Sequence, residues 1–180
     1  KDNPQPIVAA FARDIRALTA LRPLDGRIFV ALDRVRDPGN LGTVIRTADA
    51  VDAAGLILVG DSCDPYSPES VRAAMGSLFN VPIFSGSEAE FVVLAKGWPG
   101  SVVGASLSAT AHYRGVKYTG SVLAVLGSEQ SGLSPAMENS CKQTVRIPIF
   151  GRTESLNLAV AAGIFLYGIK EGMQDSEVRP

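Results

Sequence analysis

Short apolar runs alternate along the chain with stretches whose apolar residues recur at helical spacing. The runs at 27–32 (RIFVAL), 56–60 (LILVG), 81–84 (VPIF), 101–107 (SVVGASL), 121–126 (SVLAVL) and 144–149 (TVRIPI) are mostly rich in β-branched residues. They do not alternate cleanly between apolar and polar, which is the pattern of strands covered on both faces. Helical patterns fall between them at 41–53, 68–75 and 87–95, and a last one runs over 155–171. In that last helix Leu156, Val160, Ile164 and Tyr167 share a spacing, while Phe165 and Leu166 make it apolar nearly all round. Such a helix is buried or packs against a second subunit. Strands and helices taking turns predict an α/β fold, a mostly parallel sheet with helices on both faces.

Ile7, Phe11, Ile15 and Leu18 also sit at helical spacing, predicting an amphipathic helix over 5–21 before a break at 23–26. Residues 1–25 are therefore read as an N-terminal helix or linker, 26–171 as the main domain and 172–180 as a tail. The first segment is either a lead from an upstream substrate-binding domain or a strap on this one. The chain opens on Lys1 rather than methionine, which leaves room for such an upstream part.

Composition narrows the class. With 180 residues, 46% hydrophobic and 19% charged, the chain suits one compact domain with a well-buried core. Cys63 and Cys141 lack the paired spacing of a zinc or redox motif and are expected to be buried or semi-buried thiols of a cytoplasmic protein. No apolar run is long enough to span a bilayer, no secretory signal opens the chain, and no ligand cluster suggests a metal. A net charge of −1 does not announce a nucleic-acid binder, so any RNA-directed function rests on local arginines or on a part outside this chain. Arg34, Arg36, Arg114, Lys117 and Arg152 are candidate phosphate contacts, each equally readable as an ordinary solvated charge.

Ligands in open parallel sheets bind at the carboxyl ends of strands. Three such ends carry unusual polar clusters. In residues 33–50, Pro38 and Gly39 make a turn, Asn40 is a good N-cap, and Gly42 permits a close backbone approach. Arg46 follows Asn40 by nearly two helical turns, so both can address one region; the plain alternative is a solvated Arg46 loosely paired with Asp49. In residues 127–135, Gly127 and Gly132 frame a polar turn, and Ser134-Pro135 reads as N-cap plus first residue of a short helix. Glu129 stands directly behind a buried strand, either partnered or simply a solvated loop acid. In residues 150–163, Ser155 is a plausible N-cap, and Asn157, set in an apolar helix, should be hydrogen-bonded or functional.

Other chemistries lack support. No G-x-G-x-x-G follows the first strand, no phosphate-binding loop is present, and Glu129 occupies the serine's place in a G-x-S-x-G elbow. The single histidine, His112, lies far from these loops and has no triad signature around it.

The three clusters, in this order, resemble the three motifs of the SpoU (TrmH-like, SPOUT) RNA methyltransferases. Asn40, Gly42, Arg46, Ala48 and Asp49 match N-x-G-x-x-x-R-x-A-D; Gly127, Glu129, Gly132 and Leu133 match G-x-E-x-x-G-L; Ile147, Pro148, Gly151, Ser155, Leu156 and Asn157 match I-P-x-x-G followed by S-L-N. The resemblance covers nearly all of the chain beyond its first 25 residues. One departure is Ala159, where many relatives carry serine.

This resemblance implies a Rossmann-like sheet with a C-terminal deep trefoil knot, a homodimer, and S-adenosylmethionine-dependent methylation of a ribose 2′-hydroxyl in ribosomal or transfer RNA. Carried over by position, the cofactor contacts fall at Leu126, Gly127, Ser128, Ile147 and Leu156. The catalytic group joins Arg46 and Asn40 to Glu129, Ser155 and Asn157 across the homodimer interface. An arginine side chain stays protonated in proteins, so Arg46 is read as an electrostatic clamp on the 2′-oxygen or a neighbouring phosphate rather than as a base. The rival readings are a non-catalytic RNA-binding module on the same fold and another α/β enzyme with a nucleotide cofactor.

Overall fold

The computed structural model describes residues 10–178, with side chains through residue 174. Its strands are β1 (Ile15–Ala17), β2 (Ile28–Asp33), β3 (Gly55–Val59), β4 (Ile83–Gly86), β5 (Ser101–Ala105), β6 (Val122–Leu126) and β7 (Gln143–Val145). Five helices lie between and after them: α1 (Pro38–Ala50), α2 (Pro68–Ala74), α3 (Glu88–Lys96), α4 (Pro135–Ser140) and α5 (Leu158–Val178). The strands form one sheet in the order β1-β4-β3-β2-β6-β5-β7, and each ladder is parallel. The α/β class and the parallel sheet expected from the chain's patterning are both present.

Parallel strands joined by helical crossovers are covered on both faces, and β2 shows why its sequence does not alternate. Ile28, Val30 and Leu32 join the core layer of α1 and α5, with Leu41, Ile45, Phe165 and Leu166. Phe29 and Ala31 face the opposite layer, with Phe91 of α3 and Met137 of α4. All six β2 residues are buried, Asp33 included.

The helix expected over 5–21 does not form in its described part. Residues 15–17 make β1, pairing Ile15 with Ile83 of β4, and Leu18–Ala20 make a single 3-10 turn. Pairing with the open edge of β4 overrides a weak local periodicity, while Leu18 and Leu21 bury themselves in the α3 layer. Residues 5–9 lie outside the described residues.

Helix starts also shift. Asp37, not Asn40, caps α1: its side chain accepts from the Asn40 N–H, and Pro38 presets the first turn. Gly42 does admit a close approach, since a Cβ there would meet the Ser70 carbonyl and the Ala73 side chain of α2. The last helix begins at Leu158 rather than near Ser155 and extends to Val178. One face of it is buried through Ala162, Phe165 and Ile169, while Val160 and Tyr167 stay about half exposed, at 51% and 50%.

Candidate active site

β2 and β6 are neighbours at the middle of the sheet. From β2 the order runs outward through β3 and β4; from β6 it runs the other way through β5 and β7. The carboxyl ends of β2 and β6 therefore flank a topological switch point, where parallel sheets open a crevice. α1 rises from one side of it and the turn at 127–134 from the other.

That turn is tight. Ser128 and Gly132 exchange backbone hydrogen bonds at 3.1 and 3.0 Å, with Gly132 in the left-handed region at φ +65°. Ser134 caps α4 by accepting from the Met137 N–H, as the Ser-Pro pair predicts. Asn157, two residues later than the expected cap, receives the N–H groups of Ala159 and Val160 on its Oδ1 at 2.9 and 3.3 Å. It is thus an exposed N-cap of α5 rather than an amide inside an apolar helix, and Ser155 precedes it as an exposed loop residue.

Capping uses only the Asn157 oxygen. Its Nδ2 donates to Asn40 Oδ1 at 2.9 Å, and Asn40 Nδ2 donates in turn to Glu129 Oε1 at 3.0 Å. One hydrogen-bonded line thereby connects all three polar clusters. It closes within a single chain, whereas the resemblance placed the junction of Asn40 with Glu129 and Asn157 across a dimer interface.

Glu129 also lines a cavity of about 520 Å³ at the carboxyl ends of β5, β6 and β7. Leu126, Gly127, Ser128, Ile147, Ser155 and Leu156 line the same cavity. Five of these are the positions carried over for cofactor contact. The walls are mixed: Leu107, Leu126, Ile147, Ile149 and Leu156 are apolar, while Glu129, Glu138 and Glu154 bring carboxylates.

Sequence reasoning missed Ser106, Leu107 and Ser108, which follow β5 and line this cavity. Ser108 Oγ donates to Glu138 Oε1 of α4 at 3.2 Å and lies 2.8 Å from Ser106 Oγ. The signal was available, because the segment is a polar strand end beside β6.

Arg46 stands apart. It is exposed on α1, does not line the cavity, and has no hydrogen-bond or ion-pair partner among the described residues. Asp49, its plain alternative partner, instead accepts from Asn80 Nδ2 at 3.0 Å. Of the candidate phosphate contacts, Arg34 is paired with Asp33 and Arg36 with Asp61, and Arg114 lies over the Tyr113 ring. Lys117 and Arg152 are exposed without an ion-pair partner among the described residues.

Other reactive groups are quiet. Burial pushes both thiols up, Cys141 to about 12, so neither is a nucleophile near neutral pH. His112 accepts from the Arg114 N–H and stacks on Tyr113, away from the cavity lining. Among the described residues no three His, Cys, Asp or Glu side chains gather as a metal site requires, and no helix is long and apolar enough to cross a membrane.

Residues 27–167 match the model of the SpoU rRNA Methylase family. The chain is 31% identical over 169 residues to the 23S rRNA (guanosine(2553)-2′-O)-methyltransferase RlmP of Bacillus subtilis, covering 94% of this chain and 66% of that protein. It is 36% identical over 172 residues to a 23S rRNA (uridine(2479)-2′-O)-methyltransferase of Streptomyces viridochromogenes, covering 92% of this chain and 60% of that one. An AdoMet-bound rRNA methyltransferase from Sinorhizobium meliloti shares the fold with a TM-score of 0.85 at 43% identity, over 88% of this chain and 61% of its own. The chain spans 60–66% of the length of these three proteins. The second and third motifs line the cleft, Asn40 of the first is bonded to both, and the family model matches residues 27–167: the chain belongs to the SpoU rRNA Methylase family.

Proposed function

We propose that this chain carries the methyl-transfer domain of an enzyme that moves a methyl group from S-adenosylmethionine to a ribose 2′-hydroxyl of ribosomal RNA. The observation that carries the reading is the double role of Glu129, which both lines the cleft and ends the Asn157–Asn40–Glu129 line. Support for ribosomal RNA comes from the names of the relatives, which are 23S rRNA 2′-O-methyltransferases.

The cleft suits the cofactor. Its volume falls in the range of small-molecule sites, its apolar walls suit a purine, and its carboxylates complement a sulfonium and an ammonium group. S-adenosylmethionine, when bound, supplies a methyl group on positively charged sulfur. Leu126, Gly127, Ser128, Ile147 and Leu156 would hold it. Asn40 and Asn157 fix the Glu129 carboxylate, Ser155 contributes a hydroxyl at the cleft, and all four are read as orienting the ribose. Arg46, unpaired and exposed, is free to face the RNA and stabilise negative charge growing on the 2′-oxygen. No metal enters this scheme.

Calorimetric titration with S-adenosylmethionine tests the cofactor site. Saturable binding is expected, and Leu156→Glu should weaken it about 30-fold by setting a charge in an apolar wall. A folded protein that binds none would leave an RNA-binding module as the better reading. Transfer of labelled methyl to 23S rRNA lacking the modification, followed by mapping of alkali-resistant linkages, tests the substrate.

The half-exposed Val160 and Tyr167 stand seven residues apart with Ile164 between them, an apolar stripe on the outer face of α5. This stripe supports a homodimer joined through α5, with Arg46 completing a site alongside the partner. Tyr167→Glu should shift sedimentation equilibrium from dimer toward monomer; unchanged mass would place the interface elsewhere. The family's trefoil knot would be tied where residues 146–157 pass the turns that follow β5 and β6. A cytoplasmic setting fits an enzyme acting on ribosomal RNA.

A further inference from the structure

The turn at 127–134 is held at two points by one short stretch of chain. Asn40 of α1 holds Glu129 from one side, at 3.0 Å. From the other side, the Ser134 N–H donates to Asp33 Oδ2 at 2.7 Å. Asp33 ends β2 at the switch point and is only 1% exposed. It also accepts Arg34 Nε on Oδ1 at 2.8 Å and Arg34 Nη2 on Oδ2 at 3.0 Å. Arg34 folds back onto its own predecessor through a left-handed backbone at φ +53°, a conformation that non-glycine residues enter rarely. The Ser134 hydroxyl donates onward to Glu88 Oε2 at the start of α3, at 2.5 Å.

A carboxylate buried this deeply is costly unless every bond to it is made. Asp33 does not line the cleft, and the chemistry proposed above assigns it no task. What it does contact is the far end of the turn whose near end, Gly127 to Glu129, forms the cleft wall.

We propose that Asp33 is a positioning residue: with Asn40 it clamps the turn at 127–134, so that the cleft keeps its shape before any ligand arrives. The relevance to cofactor binding rests on the function proposed above; the clamp itself does not. A wall held in advance loses less freedom on binding, and the gain appears as affinity.

Hydrogen exchange of the ligand-free chain tests the clamp in Asp33→Ala and Asp33→Asn. Asp33→Ala should speed exchange of the Gly132 and Ser134 amides about tenfold and weaken S-adenosylmethionine binding by a similar factor, with β2 and β6 amides unchanged. Asp33→Asn keeps an oxygen toward Ser134 and should show a milder change, roughly threefold, at the same amides. If the alanine variant does not fold, the asparagine variant decides alone. Faster exchange confined to the turn supports the clamp; unchanged exchange, or a rise spread evenly over the sheet, overturns it and leaves Asp33 a residue of general stability. Wild-type protein that binds no S-adenosylmethionine would overturn the proposed function, while the exchange pattern answers separately for the clamp.

Discussion

Arg46→Ala is expected to lower methyl transfer about 100-fold or more while leaving S-adenosylmethionine affinity within about twofold of wild type. The split follows from where Arg46 stands. Its side chain makes no hydrogen bond or ion pair among the described residues and lines no part of the cleft, so its loss disturbs no contact there. What is lost is a fixed positive charge available to an oxygen that becomes negative during transfer. One such donor contributes roughly 3–4 kcal/mol to a transition state, which converts to the stated factor. Arg46→Lys should recover only part, because an ammonium cannot offer the planar pair of N–H groups. Single-turnover methyl transfer beside calorimetry separates the two quantities. An equal fall in both would make Arg46 part of the cofactor site.

Gly127→Ala is expected to weaken cofactor binding about 100-fold or more, with the sheet still folded. A Cβ at Gly127 would run into the backbone of Gly132 and Leu133, and neither can give as the end of a flexible side chain can. The turn must open, carrying Ser128 and Glu129 out of the cleft wall and breaking the bond from Asn40. Gly132→Ala serves as a control: nothing lies within 4 Å of its Cβ, and the cost is confined to a strained φ of +65°. That strain is worth about 1–2 kcal/mol, so the control should lose far less affinity. Far-UV circular dichroism reports the fold and calorimetry the binding. Wild-type affinity in Gly127→Ala would show that the turn has room elsewhere.

The buried strands were readable because their apolar runs are short and continuous, and β2 shows both faces consuming that hydrophobicity. β1 was not readable. Its three residues are all exposed, and its strand character comes from the partner β4 rather than from any pattern of its own. In the run at 144–149, Pro148 cannot donate to a ladder; β7 ends at Val145, Arg146 still bridges to His112, and beyond it Ile147 and Ile149 line the cleft.

The site divides in the same way. Ser155 and Asn157 are both good caps two residues apart, and local sequence cannot choose between them. A hydrogen bond to Asn40, 117 residues away, accompanies the choice of Asn157. Asn40 and Arg46 are nearly two helical turns apart, but six residues fall roughly 120° short of two full turns. Arg46 accordingly lies off the line that joins Asn40 to Glu129 and Asn157. Residues 106–108 belong to none of the three motifs and reach the cleft because β5 ends beside β6.

The two outermost strands, β1 and β7, are only three residues long. A parallel sheet with long bare margins would present rows of unpaired N–H and C=O groups on which another molecule could build. Here each margin stops before such a template is established, and Arg16 and Gln143 place polar side chains along it. Short margins give a second chain little edge to extend, so the longer strands between them are shielded from edge-to-edge growth.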